Sequence, residues 1–309
     1  MKKYISTIIL FFAAIIWGFA FVAQKAAAAI PPFTLIFARS IVAIFALIPV
    51  ILLFDKMSNN GRKLFSIKEK RADISKAELL CGTVCGIFLF AASVLQQMGI
   101  SGTDAGKTSF ITALYVVIVP LYALFFGKKS SVNVWIGIAI AVIGFYLLCI
   151  KENFTVVASD MLIVLCAFIF AMQIMAVDLS LSKCDAIRLS LVQFATVTVL
   201  SLIFALIFEP PFDMEAILGV LPEILFLGIG SSGIAYTLQI VGQKNSEPAV
   251  ASIILSLESV FGAVFSAIFL HERMLAKEYI GCVLVFAAVI ISQLDFEGII
   301  FKIKSLKKL

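Results

Sequence analysis

Residues 5–28 read ISTIILFFAAIIWGFAFVAQKAAA, and Lys25 is their only charge. At 1.5 Å per residue an α-helix of this length spans about 36 Å, enough to cross the ~30 Å hydrocarbon core of a bilayer. Lys2-Lys3 ahead of the stretch and Ala26 to Ala29 at its end imitate a secretory leader. The apolar stretch is too long for one, and Gln24-Lys25 interrupt it before the alanines, so an uncleaved first helix is expected. The rest of the chain reads the same way. Of 309 residues 62% are hydrophobic and 14% charged, with 29 Phe, whereas a soluble domain carries roughly 25% charged residues. The charges gather in short clusters between apolar runs of about 20 residues, the length of a membrane span. Hydrocarbon offers the backbone no water, so each run must satisfy its own N–H and C=O groups as a helix. The runs are apolar on every face, without the alternation of a membrane barrel. A soluble globular domain is excluded.

Ten spans are expected, near 5–28, 33–54, 78–98, 105–126, 133–150, 160–180, 186–207, 218–240, 248–270 and 277–294. Most connections are only a few residues long, which makes neighbours antiparallel. The exception is the polar, basic loop 55–77, with Asn59-Asn60-Gly61 at its turn. The tail 298–309, GIIFKIKSLKKL, is basic and amphipathic and is expected to lie along the membrane surface.

Lys and Arg set the orientation. With the N-terminus inside, the cytoplasmic segments carry 18 of them, against three outside: Lys151, Arg273 and Lys277. Both termini are therefore expected in the cytoplasm of a cell whose plasma membrane holds the protein. The net charge of +5 is this positive-inside signal, aided by anionic lipid, and no nucleic-acid partner is expected.

An internal repeat is visible at an offset of 143. It pairs Ala92, Leu95, Gln96 and Gly99 with Ala235, Leu238, Gln239 and Gly242. It also pairs Ser109, Ile111, Leu114, Val117 and Phe126 with Ser252, Ile254, Leu257, Val260 and Phe269. Apolar composition alone yields some identities, but Gln96/Gln239 is a polar match, and Asp104 pairs with Glu247 just ahead of the corresponding helices. Five helices per unit is an odd number, so the second copy must sit upside down. The expected fold is an all-α polytopic membrane protein with ten transmembrane helices in two inverted five-helix repeats, 1–152 and 153–297, followed by the cytoplasmic tail 298–309. Inverted repeats of this kind place a transporter's substrate site between the halves near mid-membrane.

Four segments carry a family resemblance: WGFAFVAQK (17–25), ARSIVA (38–43), GKTSFITALYVVIVP (106–120) and ASIILSLESVFGAVFSAIFLHE (251–272). In this order, over essentially the whole chain, they resemble the EamA-type proteins of the drug/metabolite transporter superfamily. The resemblance implies a ten-helix basket that exports or exchanges small metabolites without an ATPase subunit. One departure is that Gly127-Lys128-Lys129 stand where Leu270-His271-Glu272 stand in the second half, so the acidic residue expected there is absent.

Ionisable groups inside a bilayer are costly and each needs a reason. Glu258 lies at the middle of its span. It reads as a proton or substrate-ammonium site, or as a protonated structural hydrogen-bond donor. Arg39 lies four or five residues from the centre of its span. It reads as a bidentate partner for a substrate carboxylate or phosphate, or as half of an interhelical ion pair, with Glu258 as a candidate partner. Lys25 shares a helix face with Gly18 and Phe21; it joins Arg39 in an electropositive site or snorkels to the interface. Lys107 begins its span and reads as a substrate contact or an interface anchor. Gln96, Gln173 and Gln193 orient a neutral polar group or glue helices together. Tyr115 is the repeat partner of Glu258 and is expected to face it, and Trp17 lines the cavity or packs. Gly82-x3-Gly86, Gly137-x3-Ala141 and Gly262-x3-Ser266 read as close-packing stripes. Gly99 to Gly106 and Gly228 to Gly233 are candidate hinges.

The six cysteines form no C-x-x-C pair, and His271 is the single histidine. No metal site or cofactor is expected, and the cysteines read as small apolar residues. The expected activity is secondary transport of small polar metabolites, such as amino acids, by alternating access, with protons as a candidate coupling ion. The competing classes are an intramembrane lipid-modifying enzyme, which lacks a catalytic cluster here, and an uncoupled facilitator or channel.

Overall fold

The computed structural model of the chain describes residues 2–59, 74–149, 157–271 and 274–294. The tail 298–309 and most of the loop 55–77 lie outside them. The helices are α1 (Lys2–Ala26), α2 (Pro32–Asn59), α3 (Lys76–Ser101), α4 (Ala105–Thr112), α5 (Tyr115–Phe125), α6 (Val132–Cys149) and α7 (Ala158–Ser180). They continue with α8 (Ala186–Phe208), α9 (Met214–Gly219), α10 (Leu221–Leu225), a π-helical segment Phe226–Ala235, α11 (Tyr236–Gln243), α12 (Pro248–Leu255), α13 (Leu257–Phe269) and α14 (Ala276–Gln293). Among the described residues nine helical stretches are long and apolar enough to cross a membrane, and Val132–Leu148 is an apolar helix of shorter length. The chain is a multi-pass membrane protein.

Helix ends are anchored by side chains that satisfy orphan backbone donors. Ser75 and Glu78 form a capping box at the start of α3. Asp185 accepts from the N–H groups of Ile187 and Arg188 at the start of α8. The start of α2 is capped from another helix's end, because the Glu209 carboxylate accepts from Phe33 N, Thr34 N and Thr34 Oγ1 at 2.7–2.8 Å.

The helix contacts fall into matching pairs. α1 packs on α13 as α7 packs on α5, and α3 packs on α7 as the π-helical segment and α11 pack on α1. α3 lies on α8 as the π-helical segment lies on α2, while α2–α8 and α6–α14 are pairings between equivalent helices. Small residues permit the close crossings. A Cβ on Gly144 or Gly281 would fall 2.8 or 2.6 Å from the other's carbonyl oxygen, and one on Gly18 would fall 2.3 Å from Phe261 Cβ. The expected stripes face such contacts: Gly82 meets Val192, Gly86 meets the Gln193 carbonyl, Gly137 meets the Ala288 carbonyl and Gly262 meets Ser109.

Two spans are broken, at matching places. α4 gives way to α5 at Ala113-Leu114, and α12 gives way to α13 at Ser256. Shifted by 143, α4 falls on α12 residue for residue. Neither break has a proline or glycine. Instead the backbone tightens to i→i−3 bonds, from Val116 N to Ala113 O, Val117 N to Leu114 O and Ser259 N to Ser256 O. In the second break Ser252, Ser256 and Ser259 each donate a hydroxyl to a carbonyl three residues earlier, competing with the helical ladder. Each break also changes the helix phase just before Tyr115 and Glu258. The π-helical segment has no counterpart in α3, which is α-helical throughout.

Candidate functional site

Between the two sets of spans lies a cavity of about 30 Å³, room for a water or two rather than a metabolite. Its walls come from both halves of the chain. Trp17 and Gln24 come from α1, Arg39 from α2, Gln96 from α3 and Thr112 from α4. Tyr115 comes from α5, Phe170 and Gln173 from α7, Ser231 from the π-helical segment, Tyr236 and Gln239 from α11, and Glu258 from α13. Six of the nine candidate site residues read from the sequence therefore share one cavity: Trp17, Arg39, Gln96, Tyr115, Gln173 and Glu258.

Its two ionisable side chains, one basic and one acidic, are not paired with each other. Arg39 is 5% exposed and Glu258 4%. Arg39 Nε and Glu258 Oε1 are buried without a hydrogen-bond partner, and among the described residues no ion pair joins the two side chains. Tyr115 stands beside Glu258, and Tyr236 beside Arg39. Trp17 donates its indole N–H to the Ser231 carbonyl at 3.3 Å and meets the Tyr236 ring edge-on at 4.7 Å. That contact holds one aromatic wall against the π-helical segment.

Amides also line the cavity. Gln239 Nε2 donates to Gln173 Oε1 at 3.1 Å, and Gln173 Nε2 donates to Gln193 Oε1 at 3.0 Å. Gln96 Nε2 donates to Thr112 Oγ1 at 3.2 Å. Gln193 is fully buried behind this chain and is not on the cavity wall.

Lys25 and Lys107 are placed elsewhere. The Lys25 ammonium lies 2.9, 3.4 and 2.8 Å from the carbonyl oxygens of Ile100, Ser101 and Thr103. It is not on the cavity wall. It satisfies the carbonyls at the end of α3, where the helix dipole favours a cation, and so clasps α1 to α3. Gln97 reinforces the clasp by donating to the Gln24 carbonyl at 3.3 Å. Lys107 pairs with Asp160 at 2.6 Å, joining α4 to α7. At the other end of the bundle Lys128 pairs with Asp178. Among the described residues no group of three His, Cys, Asp or Glu side chains is arranged to hold a metal ion.

The EamA-like transporter family model matches residues 5–150 and again 157–294. The chain belongs to the EamA-like transporter family. An uncharacterized transporter of Archaeoglobus fulgidus is 30% identical over 217 residues, which are 69% of this chain and 68% of that protein. The uncharacterized transporter YoaV of Bacillus subtilis is 23% identical over 290 residues, 91% of this chain and 94% of its own. A solved crystal structure superposes with a TM-score of 0.72 at 16% identity, covering 93% of this chain and 96% of that one; that likeness shows the fold. As an EamA-like member of the drug/metabolite transporter superfamily, the chain is a secondary transporter by family.

The cavity of this EamA-like chain also holds Gln24, Ser231, Tyr236 and Gln239, which were not among the candidate site residues of the sequence. Gln239 carried a signal, since it is the repeat partner of Gln96. Gln24 stood out only as a polar interruption. Ser231 and Tyr236 carried none, because small hydroxyls and aromatics occur throughout these spans.

Proposed function

We propose that this protein carries small zwitterionic metabolites, such as amino acids, by alternating access to the central cavity between two inverted five-helix halves. One observation supports this above the others: Arg39 and Glu258 occupy one buried cavity and are not paired with each other. A buried charge without a partner is expensive, and two opposite charges held on separate walls are both relieved by a ligand carrying both signs. Arg39 presents a planar fork suited to a carboxylate, and Glu258 with Tyr115 suits an ammonium. The electropositive site expected from the sequence would need Lys25 beside Arg39, and the Lys25 ammonium is committed to the end of α3. The matched breaks in α4–α5 and α12–α13 support two-fold construction around a mid-span site, as in other inverted-repeat transporters. The cavity is too small for a metabolite as it stands, so loading requires the halves to separate.

The test is counterflow into liposomes, comparing an amino acid with the amine lacking its carboxylate and the acid lacking its ammonium. The zwitterion should exchange at least about tenfold faster than either fragment, each of which strands one charge. Equal exchange of a fragment or of an uncharged sugar would overturn the reading. Uncoupled passage through an open pore would show flux without saturation.

In the proposed orientation both termini, the 55–77 loop and the Lys128–Asp178 pair face the cytoplasm, and the Lys25 clasp faces outside. A cysteine placed at Asp213 in a cysteine-free background should react with an impermeant maleimide on intact cells. Reaction only after lysis would invert the orientation.

A further inference from the structure

The amide chain on the cavity wall has two loose ends. Gln239, Gln173 and Gln193 come from three different spans, and all are at most 1% exposed. Their two internal bonds leave Gln239 Oε1 and Gln193 Nε2 without partners. The Gln193 end lies behind the wall, whereas Gln239 is on it. Three amides in series also have a second arrangement. Turning every one about its last bond keeps both internal bonds and presents the Gln239 amino group, instead of its carbonyl, to the cavity. Gln239 thus offers an acceptor or a donor at equal hydrogen-bond count, held in place by two residues that need not touch the ligand.

We infer that Gln239 is the specificity residue of the cavity, selecting zwitterions whose side chain carries an uncharged hydrogen-bonding group, a hydroxyl or a carboxamide, over aliphatic ones of the same shape. This deepens the zwitterion reading and rests on it. An aliphatic side chain leaves the buried amide unpaired, while a hydroxyl or carboxamide pairs with it in either arrangement. Sites built to hydrogen-bond a substrate group reject the analogue lacking it far more strongly than apolar pockets discriminate by size. For one neutral hydrogen bond the discrimination is on the order of 10- to 100-fold.

Threonine and valine form the sharpest pair, because they share the zwitterionic head and nearly the same volume. Counterflow by the wild-type protein should favour threonine over valine by at least about tenfold, and serine over alanine in the same sense. Gln239→Met removes the amide while keeping the length of the side chain, and should bring the threonine/valine ratio to within about threefold of unity by losing threonine flux and gaining valine flux. Gln193→Met does not touch the cavity. It frees Gln173 from its far partner and should lower the ratio to an intermediate value, which general damage, scaling both fluxes alike, would not do. Thermal melting of each purified variant shows that it is folded; if Gln239→Met does not fold, the wild-type ratios and Gln193→Met decide. A wild-type ratio near unity, or an unchanged ratio in the folded variants, overturns the role of Gln239 while leaving the zwitterion reading intact. Failure of every amino acid to exchange in the wild type overturns both.

Discussion

Arg39→Met should give a protein that melts higher than the wild type and transports its substrate about 10- to 150-fold less well. The two effects have one cause. Arg39 is 5% exposed and lies inside a membrane span, and among the described residues it has no acidic partner, so its charge is buried without a counter-charge. Replacing even paired buried charges by apolar groups of similar volume is often neutral or stabilising, by up to roughly 1–4 kcal/mol. At this chain length that corresponds to a rise in Tm of roughly 2–10 °C. The same substitution removes the substrate's charge-assisted hydrogen bonds, worth roughly 1.5–3 kcal/mol, which gives the expected loss of transport. A residue that destabilises the fold while serving the ligand is the usual trade between stability and activity. Lys107→Met is the contrasting case. It breaks the ion pair with Asp160, strands a buried carboxylate and should melt lower. Melting curves with and without substrate distinguish the two, because substrate should raise the Tm of the wild type and not of Arg39→Met. If Arg39→Met melts lower and transports normally, Arg39 is a structural residue and the carboxylate site lies elsewhere.

The spans were readable because bilayer thickness and backbone satisfaction leave few alternatives, so apolar length alone places helix ends within a few residues. α1 is expected over 5–28 and runs Lys2–Ala26; α7 is expected over 160–180 and runs Ala158–Ser180. What happens inside a span is less visible. The breaks at Ala113 and Ser256 carry no proline or glycine, and serine hydroxyls bonded to the backbone run through the second alone as a set of three. Charged residues illustrate the same limit. Depth in the span separates Arg39 from Lys25 and Lys107 in the sequence, but only the fold shows that Lys25 meets three carbonyls and Lys107 a carboxylate, while Arg39 has no acidic partner among the described residues. Gln239 was recoverable from the repeat, where a glutamine matched across 143 positions is a stronger sign than any apolar identity. Tyr236 was not, since one aromatic among many has no signature until its neighbours are known.

Glu258→Gln should retain substrate exchange yet lose accumulation driven by a pH gradient. Glu258 sits just after the Ser256 break, 4% exposed, with one carboxylate oxygen unpartnered and Tyr115 beside it. In an empty cavity a bare carboxylate here is costly, and taking up a proton removes that cost. A substrate ammonium relieves the same carboxylate, so proton and substrate compete for one group. Competition of this kind couples their movements in opposite directions, because each form of the cavity crosses loaded with one or the other and no second ion site is required. The amide introduced by Glu258→Gln resembles the protonated carboxyl in shape and charge, so the halves can still rock, but it has no proton to give up. The ammonium loses its ionic partner in the variant and keeps hydrogen bonds to the amide oxygen, so apparent affinity should fall roughly 10-fold or more while exchange at saturating substrate continues. Liposomes with an imposed pH gradient provide the decisive comparison. Wild-type protein should accumulate substrate above its equilibrium level and release it when the gradient is collapsed by a protonophore. The variant should equilibrate substrate to the same level with or without the gradient. Accumulation by Glu258→Gln equal to the wild type would assign proton coupling to another group, and wild-type flux indifferent to the gradient would make the protein an exchanger in which Glu258 serves binding alone.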